Sequence, residues 1–323
     1  MLTSSVALCT YNGGEFLSEQ LLSIINQSVP VNEIIICDDK STDNTIEIIK
    51  KFQKEYPNLI TLFINAIQLG SSKNFYKAIK LCTKDIIFLC DQDDIWKHNK
   101  VEVFLKEFKL KPYVNLVASN GHLLFDDGIR EDIVTVWDTY SYYQKDYNIQ
   151  DFNFFKLITS VGNIVTGAAS AIRKTLAESI PEFFKSANIH HDELIALLAS
   201  SNNSISFINS KLFFYRIHSN QQVGIEFFTE KNDMDYLLKP FHNTKTFKSY
   251  KRLIKKNIIR YQHYDNILSE LPKSSPYYEI IELAKQTCEL QYQKNKKNLQ
   301  KASPYKYAIL SIIDTITGKR KLH

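Results

Sequence analysis

A chain of 323 residues with 44% apolar content can bury a full core, and 9 glycines and 8 prolines are too few for a collagen-like or disordered sequence. Five cysteines, an odd number without CxxC or CxxH spacing, point to free thiols in a reducing compartment and away from a zinc site. The net charge of +5 hides an asymmetry: residues 241–323 carry 17 Lys+Arg against 6 Asp+Glu, and residues 1–240 carry 23 against 29. The basic region reads either as a solvated helical face or as a surface drawn to an anionic neighbour.

The N-terminus enters an apolar strand at once, without the charged leader of a secretory signal. No uninterrupted apolar run reaches the ~18–20 residues that a bilayer span needs. The expected location is therefore the cytoplasm, free or peripheral on the inner face of the membrane.

Four apolar runs recur along the first third of the chain: Ser5–Cys9, Glu33–Cys37, Leu59–Ile64 and Asp85–Cys90. Helical spacing fills the intervals. Phe16, Leu17, Leu21, Ile24 and Ile25 share one face; Ile46, Ile48, Ile49 and Phe52 follow N-capping residues at 41–45; a third helix covers Phe75 to Leu81. Strand alternating with helix predicts βαβ units, a mostly parallel sheet, and ligands beyond the carboxyl ends of its strands. Val114–Ser119 reads as a fifth strand and 122–147 as irregular. Asn163–Ile172 reads as a close-packed strand, Asp192–Ala199 as a helix start and Lys211–Arg216 as a further strand. From Asp233 the chain is Lys-rich and helical, and its apolar patch Tyr307–Ile316 suits either packing on the body or lying flat on a membrane.

Polar clusters stand at the strand ends. Asp91, Asp93 and Asp94 follow Ile86–Cys90, and adjacent anions at a sheet rim repel unless something positive joins them. A hard divalent cation with oxygen ligands would do so, although an isolated DxD also serves as a solvated acidic turn. Asp38, ending the second strand, is placed to accept hydrogen bonds from a base or ribose, whereas Asp43 and the hydroxyls before it read as helix caps. The opening Thr10-Tyr11-Asn12-Gly13-Gly14 is neither G-x-G-x-x-G nor a P-loop.

Taken together, Thr10-Tyr11-Asn12, Asp38-Asp39-Lys40-Ser41-Thr42-Asp43 and Asp91-Gln92-Asp93 resemble the N-terminal half of glycosyltransferase family 2, over roughly residues 3–225. The resemblance implies an α/β GT-A, Rossmann-like nucleotide-diphospho-sugar transferase domain at 1–230, with a nucleotide half to about 115 and an acceptor half at 116–230. A helical basic region at 231–323 would follow. It implies that Thr10, Tyr11, Asn12, Asp38 and Lys73 hold the nucleotide, and that Asp91 and Asp93 place Mg2+ or Mn2+ on the diphosphate. Arg216 and His218, within Tyr215–Gly224, would reach the diphosphate or metal. Asp192 or Glu193 would be the base, with Asp192 aligning better. The wording CDQDDIW looks closest to the branch transferring rhamnose in bacterial surface polysaccharides.

The expectation is then an inverting, metal-dependent transfer to a glycan or lipid-diphosphate-linked acceptor. One sugar is expected per encounter, because the Gln-x-x-Arg-Trp signature of processive synthases is missing. Two other classes share parts of this pattern. A nucleotidyltransferase would carry a basic phosphate loop near its N-terminus, and 10–14 has no basic residue. A membrane or nucleic-acid binding module would use the basic tail, but acidic strand ends repel phosphate, so no nucleic acid is expected.

Overall fold

The computed structural model describes residues 2–125, 128–129, 135–137, 153–160, 162–181, 189–218, 246–318 and 322. The chain divides into two compact units. One is built from residues 1–138 and 165–225, the other from 139–164 and 226–323. Of the span 139–164, the described residues 153–160 and 162–164 fall in the unit of the C-terminal helices, whereas the sequence pattern places them with the first domain.

In the first unit, β1 (Ser4–Thr10), α1 (Leu17–Ile25), β2 (Glu33–Asp38), α2 (Thr45–Glu55), β3 (Ile60–Ile64), α3 (Ser71–Leu81) and β4 (Ile86–Cys90) alternate as foreseen. After them come β5 (Ile95–Trp96), α4 (Lys100–Leu110), β6 (Leu116–Phe125), β7 (Gly128–Ile129), β8 (Ser170–Arg173), α6 (Lys174–Ser179), α7 (His191–Ser201) and β9 (Ile205–Arg216). The sheet runs β3-β2-β1-β4-β8-β6-β9-β5, with β7 on β6. The pairs β3-β2, β2-β1 and β1-β4 are parallel, β8 lies antiparallel to both β4 and β6, and β6 pairs β9 in parallel.

Every residue of β1 and of β4 is buried, as continuous apolar runs require when helices cover both faces of a parallel sheet. Helix α3 packs on β1, β2 and β4, presenting Phe75, Tyr76, Ala78 and Ile79. It begins four residues earlier than its apolar pattern suggested, because Gly70 (φ 82°) turns the chain into its first turn. All five cysteines are buried free thiols.

Two other expectations need correction. Strand β6 continues through His122–Phe125, which the sequence reading left irregular, since His122 stacks on Phe214 of β9 with centroids 5.6 Å apart. The strand read at 163–172 is regular only from Ser170; Gly167–Ala169 forms a 3-10 turn instead. A Cβ at Gly167 would lie 3.0 Å from His191 Nε2 and 3.6 Å from Asp91 Oδ2, so the bare backbone lets the turn close against β4's end.

The second unit contains α5 (Phe154–Ser160), α8 (Phe247–Glu270), α9 (Tyr278–Ala302) and α10 (Pro304–Thr317). Its core gathers Ile254, Ile258, Tyr292, Leu299 and Leu310. Buried Asn257 donates to the Ser160 carbonyl at 2.7 Å and accepts from Asn295 at 2.9 Å, tying α5 to both long helices. Among the described residues, no helix is long and apolar enough to cross a membrane.

Lys40, exposed at the end of β2, sits at φ 68°, where an L side chain costs roughly 1–2 kcal/mol. Lys40→Gly should therefore raise stability by about 0.5–1 kcal/mol after the larger chain entropy of glycine is counted. Urea unfolding of the two proteins measures the difference.

Candidate active site

Because β1, β2 and β4 are parallel neighbours in register (Thr10 opposite Asp38, Leu8 opposite Cys90), their carboxyl ends form one rim. Thr10-Tyr11-Asn12, Asp38–Asp43 and Asp91–Asp94 all emerge there.

The first two loops interlock. Thr10 Oγ1 donates to Asp38 Oδ2 at 2.7 Å, and Ser41 gives Asp38 its hydroxyl at 2.6 Å and its N–H at 2.8 Å. Asn12, at φ 48°, receives the Thr42 N–H on its Oδ1 at 2.8 Å and donates its own N–H to Ser41 Oγ at 2.8 Å. Ser41 and Thr42 are thus loop clamps rather than the helix caps their position suggested. Asp43 does cap: its Oδ1 accepts from the Thr45 N–H at 3.0 Å while its Oδ2 takes the Gly14 N–H at 3.0 Å. Burial opposes its ionisation, yet the hydrogen bonds from Thr45 and Gly14 hold its carboxyl below the usual range.

Asp38 is fully buried and Asp39 nearly so. Asp39 accepts from Asn65 Nδ2 and the N–H groups of Leu69 and Gly70, at 2.7, 2.7 and 2.8 Å. The carboxylate of Asp38 is therefore committed first to building the rim. Tyr11 is pinned by Gln92, whose Oε1 accepts its N–H at 2.8 Å and whose Nε2 donates to its carbonyl at 3.1 Å. Lys73 stands exposed on the first turn of α3.

The third loop concentrates negative charge. Asp91 is pushed up to about 7, by burial first and then by the charges of Asp93 and Asp192. Asp94 is held well above the carboxylate range, by burial first and then by Asp93 and Asp91. Beneath them lies the fully buried Lys100, a residue the sequence reading passed over. Its ammonium donates to the Ala168 carbonyl at 2.6 Å and faces the rings of Trp96 and Phe213 at 4.2 and 5.0 Å. Burial lowers it to about 8, against the pull of Cys90, Asp94 and Asp91. The available sequence signal was its place on the apolar face of α4 with Val101, Phe104 and Phe108.

Residues from the end of β9 close over the acidic turn. His218 Nε2 lies 3.0 Å from Asp93 Oδ2, and its ring packs on Phe16. Arg216 donates its N–H to Asp94 Oδ1 at 3.0 Å, its Nε to the Asp93 carbonyl at 2.8 Å and its Nη2 to Glu19 at 2.5 Å. The guanidinium is thereby fixed to the turn it was expected to reach over. Ser219–Gly224, the remainder of that motif, lies outside the described residues.

Asp192 and Glu193 occupy the first turn of α7, and Asp192 Oδ1 accepts the Glu193 N–H at 2.7 Å. Burial, followed by repulsion from Glu193, raises Asp192 to about 6. His191 beside them is buried, stacked on Phe75 at 3.9 Å, and kept neutral by burial down to about 3.

The residues suit a divalent cation. Asp91 and Asp94 keep raised proton affinities even beside Lys100 and Arg216, which leaves room for further positive charge, and Asp93 with His218 supplies oxygen and nitrogen donors. Among the described residues no ready cluster of three His, Cys, Asp or Glu ligands converges.

Asp38→Ala strands the Thr10 and Ser41 donors and should destabilise the fold by about 2–3 kcal/mol. It should also weaken nucleotide binding, because Thr10-Tyr11-Asn12 loses its brace. Thermal unfolding with and without a nucleoside diphosphate reads both effects. Unchanged stability would show that the interlock contributes nothing.

Comparison with known proteins identifies the family and the fold. The family model "Glycosyl transferase family 2" matches residues 5–179. A dTDP-rhamnosyl transferase of Shigella flexneri is 33% identical over 228 residues, covering 67% of this chain and 73% of that protein. A poly(ribitol-phosphate) beta-glucosyltransferase of Bacillus spizizenii is 35% identical over 94 residues, covering 28% of this chain but 14% of its own length. In fold, the chain resembles S. aureus TarS residues 1–349 in complex with UDP-GlcNAc, with a TM-score of 0.53 and 14% identity over 93% of this chain and 92% of that one. The α/β sheet with its C-terminal helices is the GT-A arrangement, and the chain belongs to glycosyl transferase family 2 and is a glycosyl-transferring enzyme.

Proposed function

We propose that the protein transfers one sugar, rhamnose, from a nucleotide-diphosphate donor to a hydroxyl of a glycan or lipid-linked acceptor in bacterial surface polysaccharide synthesis. The observation that carries the reading is geometric: a Cβ at Gly167 would lie 3.6 Å from Asp91 Oδ2 and 3.0 Å from His191 Nε2, so the end of β4 and the first turn of α7, which carries Asp192, meet at the same turn. A donor-side acidic turn and an acceptor-side carboxylate thus share one rim. The rhamnose assignment is supported by the similarity to the Shigella dTDP-rhamnosyl transferase and by the CDQDDIW motif.

In this reading Thr10, Tyr11, Asn12 and Lys73 hold the nucleotide, Asp38 acts by bracing that loop from within rather than by direct contact, and Asp93 with Asp91 would hold Mg2+ or Mn2+ on the diphosphate. When bound, such a cation supplies Lewis-acid neutralisation of the leaving group. Asp192 takes the proton of the acceptor hydroxyl as its oxygen bonds to the anomeric carbon. The bond to the diphosphate breaks on the opposite face, and the nucleoside diphosphate leaves with that electron pair. The product is inverted. A carboxylate raised to about 6 is a better base near neutral pH than an ordinary one.

With manganese present, a dTDP-rhamnose donor should raise the melting temperature, and Asp93→Ala should remove the metal-dependent part of the shift. A larger shift with a UDP-hexose overturns the sugar and leaves the transferase reading standing. A shift that survives in Asp93→Ala overturns the metal assignment.

Asp192→Asn should retain donor binding and lose at least about a hundredfold in turnover, while Glu193→Gln loses less than about tenfold. The reverse ranking in steady-state kinetics would make Glu193 the base.

A further inference from the structure

Helix α10 is apolar on two faces, and among the described residues only one of them is packed. Tyr307 and Leu310 point into the core formed with Ile254, Ile258, Tyr292 and Leu299, and the partly buried Asp314 follows one turn later. Tyr305, Ile309, Ile312, Ile313 and Ile316 are between 42% and 88% exposed. At 3.6 residues per turn these five fall within an arc of about 100°, on the side away from Leu310. Packing and membrane contact, set out as alternatives for this segment, are therefore compatible: one face packs and the other is left open.

Large apolar side chains in a single exposed stripe mark a surface that meets something. The charge around it says what. Between Gln291 and His323 the sequence holds eight Lys or Arg and a single acid, Asp314. That acid lies on the packed side, whereas Lys301 in the last turn of α9 and Lys306 in the first turn of α10 are exposed. Lys319, Arg320 and Lys321 follow it directly in sequence. An apolar stripe flanked by cations, on a helix too short to span, suits the boundary of an anionic bilayer: isoleucines enter the acyl edge and lysines meet lipid phosphates.

We infer that α10 is a peripheral membrane-docking helix, which seats Tyr305, Ile309, Ile312, Ile313 and Ile316 in an anionic lipid surface. The inference rests on the helical unit alone, so vesicle binding and sugar transfer are read separately. Both contributions are needed. Cations alone would be screened over about 8–10 Å at moderate salt, and five side chains alone give modest affinity.

The test uses the full chain and vesicles of phosphatidylglycerol mixed with phosphatidylethanolamine, with pure phosphatidylcholine as the uncharged control. Co-sedimentation at low salt should be clear with the anionic vesicles and weak with the control. The triple variant Ile309→Ser, Ile312→Ser, Ile316→Ser keeps every charge and, being confined to exposed positions, the melting temperature; it should bind at least about tenfold more weakly. Tyr305→Trp should shift its emission to the blue on adding anionic vesicles. Absence of binding at low salt overturns the inference. So does equal binding by the triple variant, which would leave charge alone as the cause. A dimer in light scattering that the triple variant dissociates, with no vesicle binding, would assign the stripe to a second copy of the chain.

Discussion

Packing Asp91, Asp93 and Asp94 into one turn at the end of a fully buried strand is the constraint around which the first unit is arranged. Like charges in a poorly solvated place raise one another's proton affinity, as Asp91 and Asp94 show. The surroundings answer with donors and cations drawn from distant parts of the sequence. Lys100 lies beneath, Arg216 supplies a backbone N–H and clamps the turn from above, and His218 meets Asp93. Even the 3-10 turn at Gly167 owes its close approach to the lack of a side chain next to Asp91. What these groups leave uncompensated is what a cation and a diphosphate would complete.

A second network keeps the rim rigid enough to use that charge. Asp38 joins the end of β1 to the loop after β2, and Asp39 joins the same loop to the start of α3. Neighbouring carboxylates therefore brace opposite sides of one loop. Rigid support beneath a binding surface lowers the ordering cost of ligand binding.

Much of this was legible because β1, β2 and β4 are unbroken apolar runs that end in polar clusters. The run length identifies buried parallel strands, and strand polarity then places the clusters on one edge. Asp91 and Asp93 follow from the same logic, whereas Asp192, at a helix start, is indicated only by the family resemblance. Lys100 was not, since burial of a lysine depends on Trp96, Phe213 and the Ala168 carbonyl, which only tertiary structure brings to it. The inward commitment of Asp38 was equally hidden: a strand-end carboxylate looks the same in sequence whether it faces a ligand or a neighbouring hydroxyl. Strand β6 ran past its apparent end because pairing with β9 supplied order that His122–Phe125 did not advertise locally.

The membership of α5 in the second unit has a temporal consequence. Its residues Phe154, Leu157 and Ile158 are buried, and its Thr159 carbonyl accepts from Cys288 on α9 at 2.8 Å. A nascent chain emerges N-terminus first, so the sheet unit can be finished while α5 still awaits the helices that cover it. During that interval an apolar segment hangs from a completed domain as an exposed loop. The burial of α5 therefore waits on helices that are synthesised after the whole of the first unit.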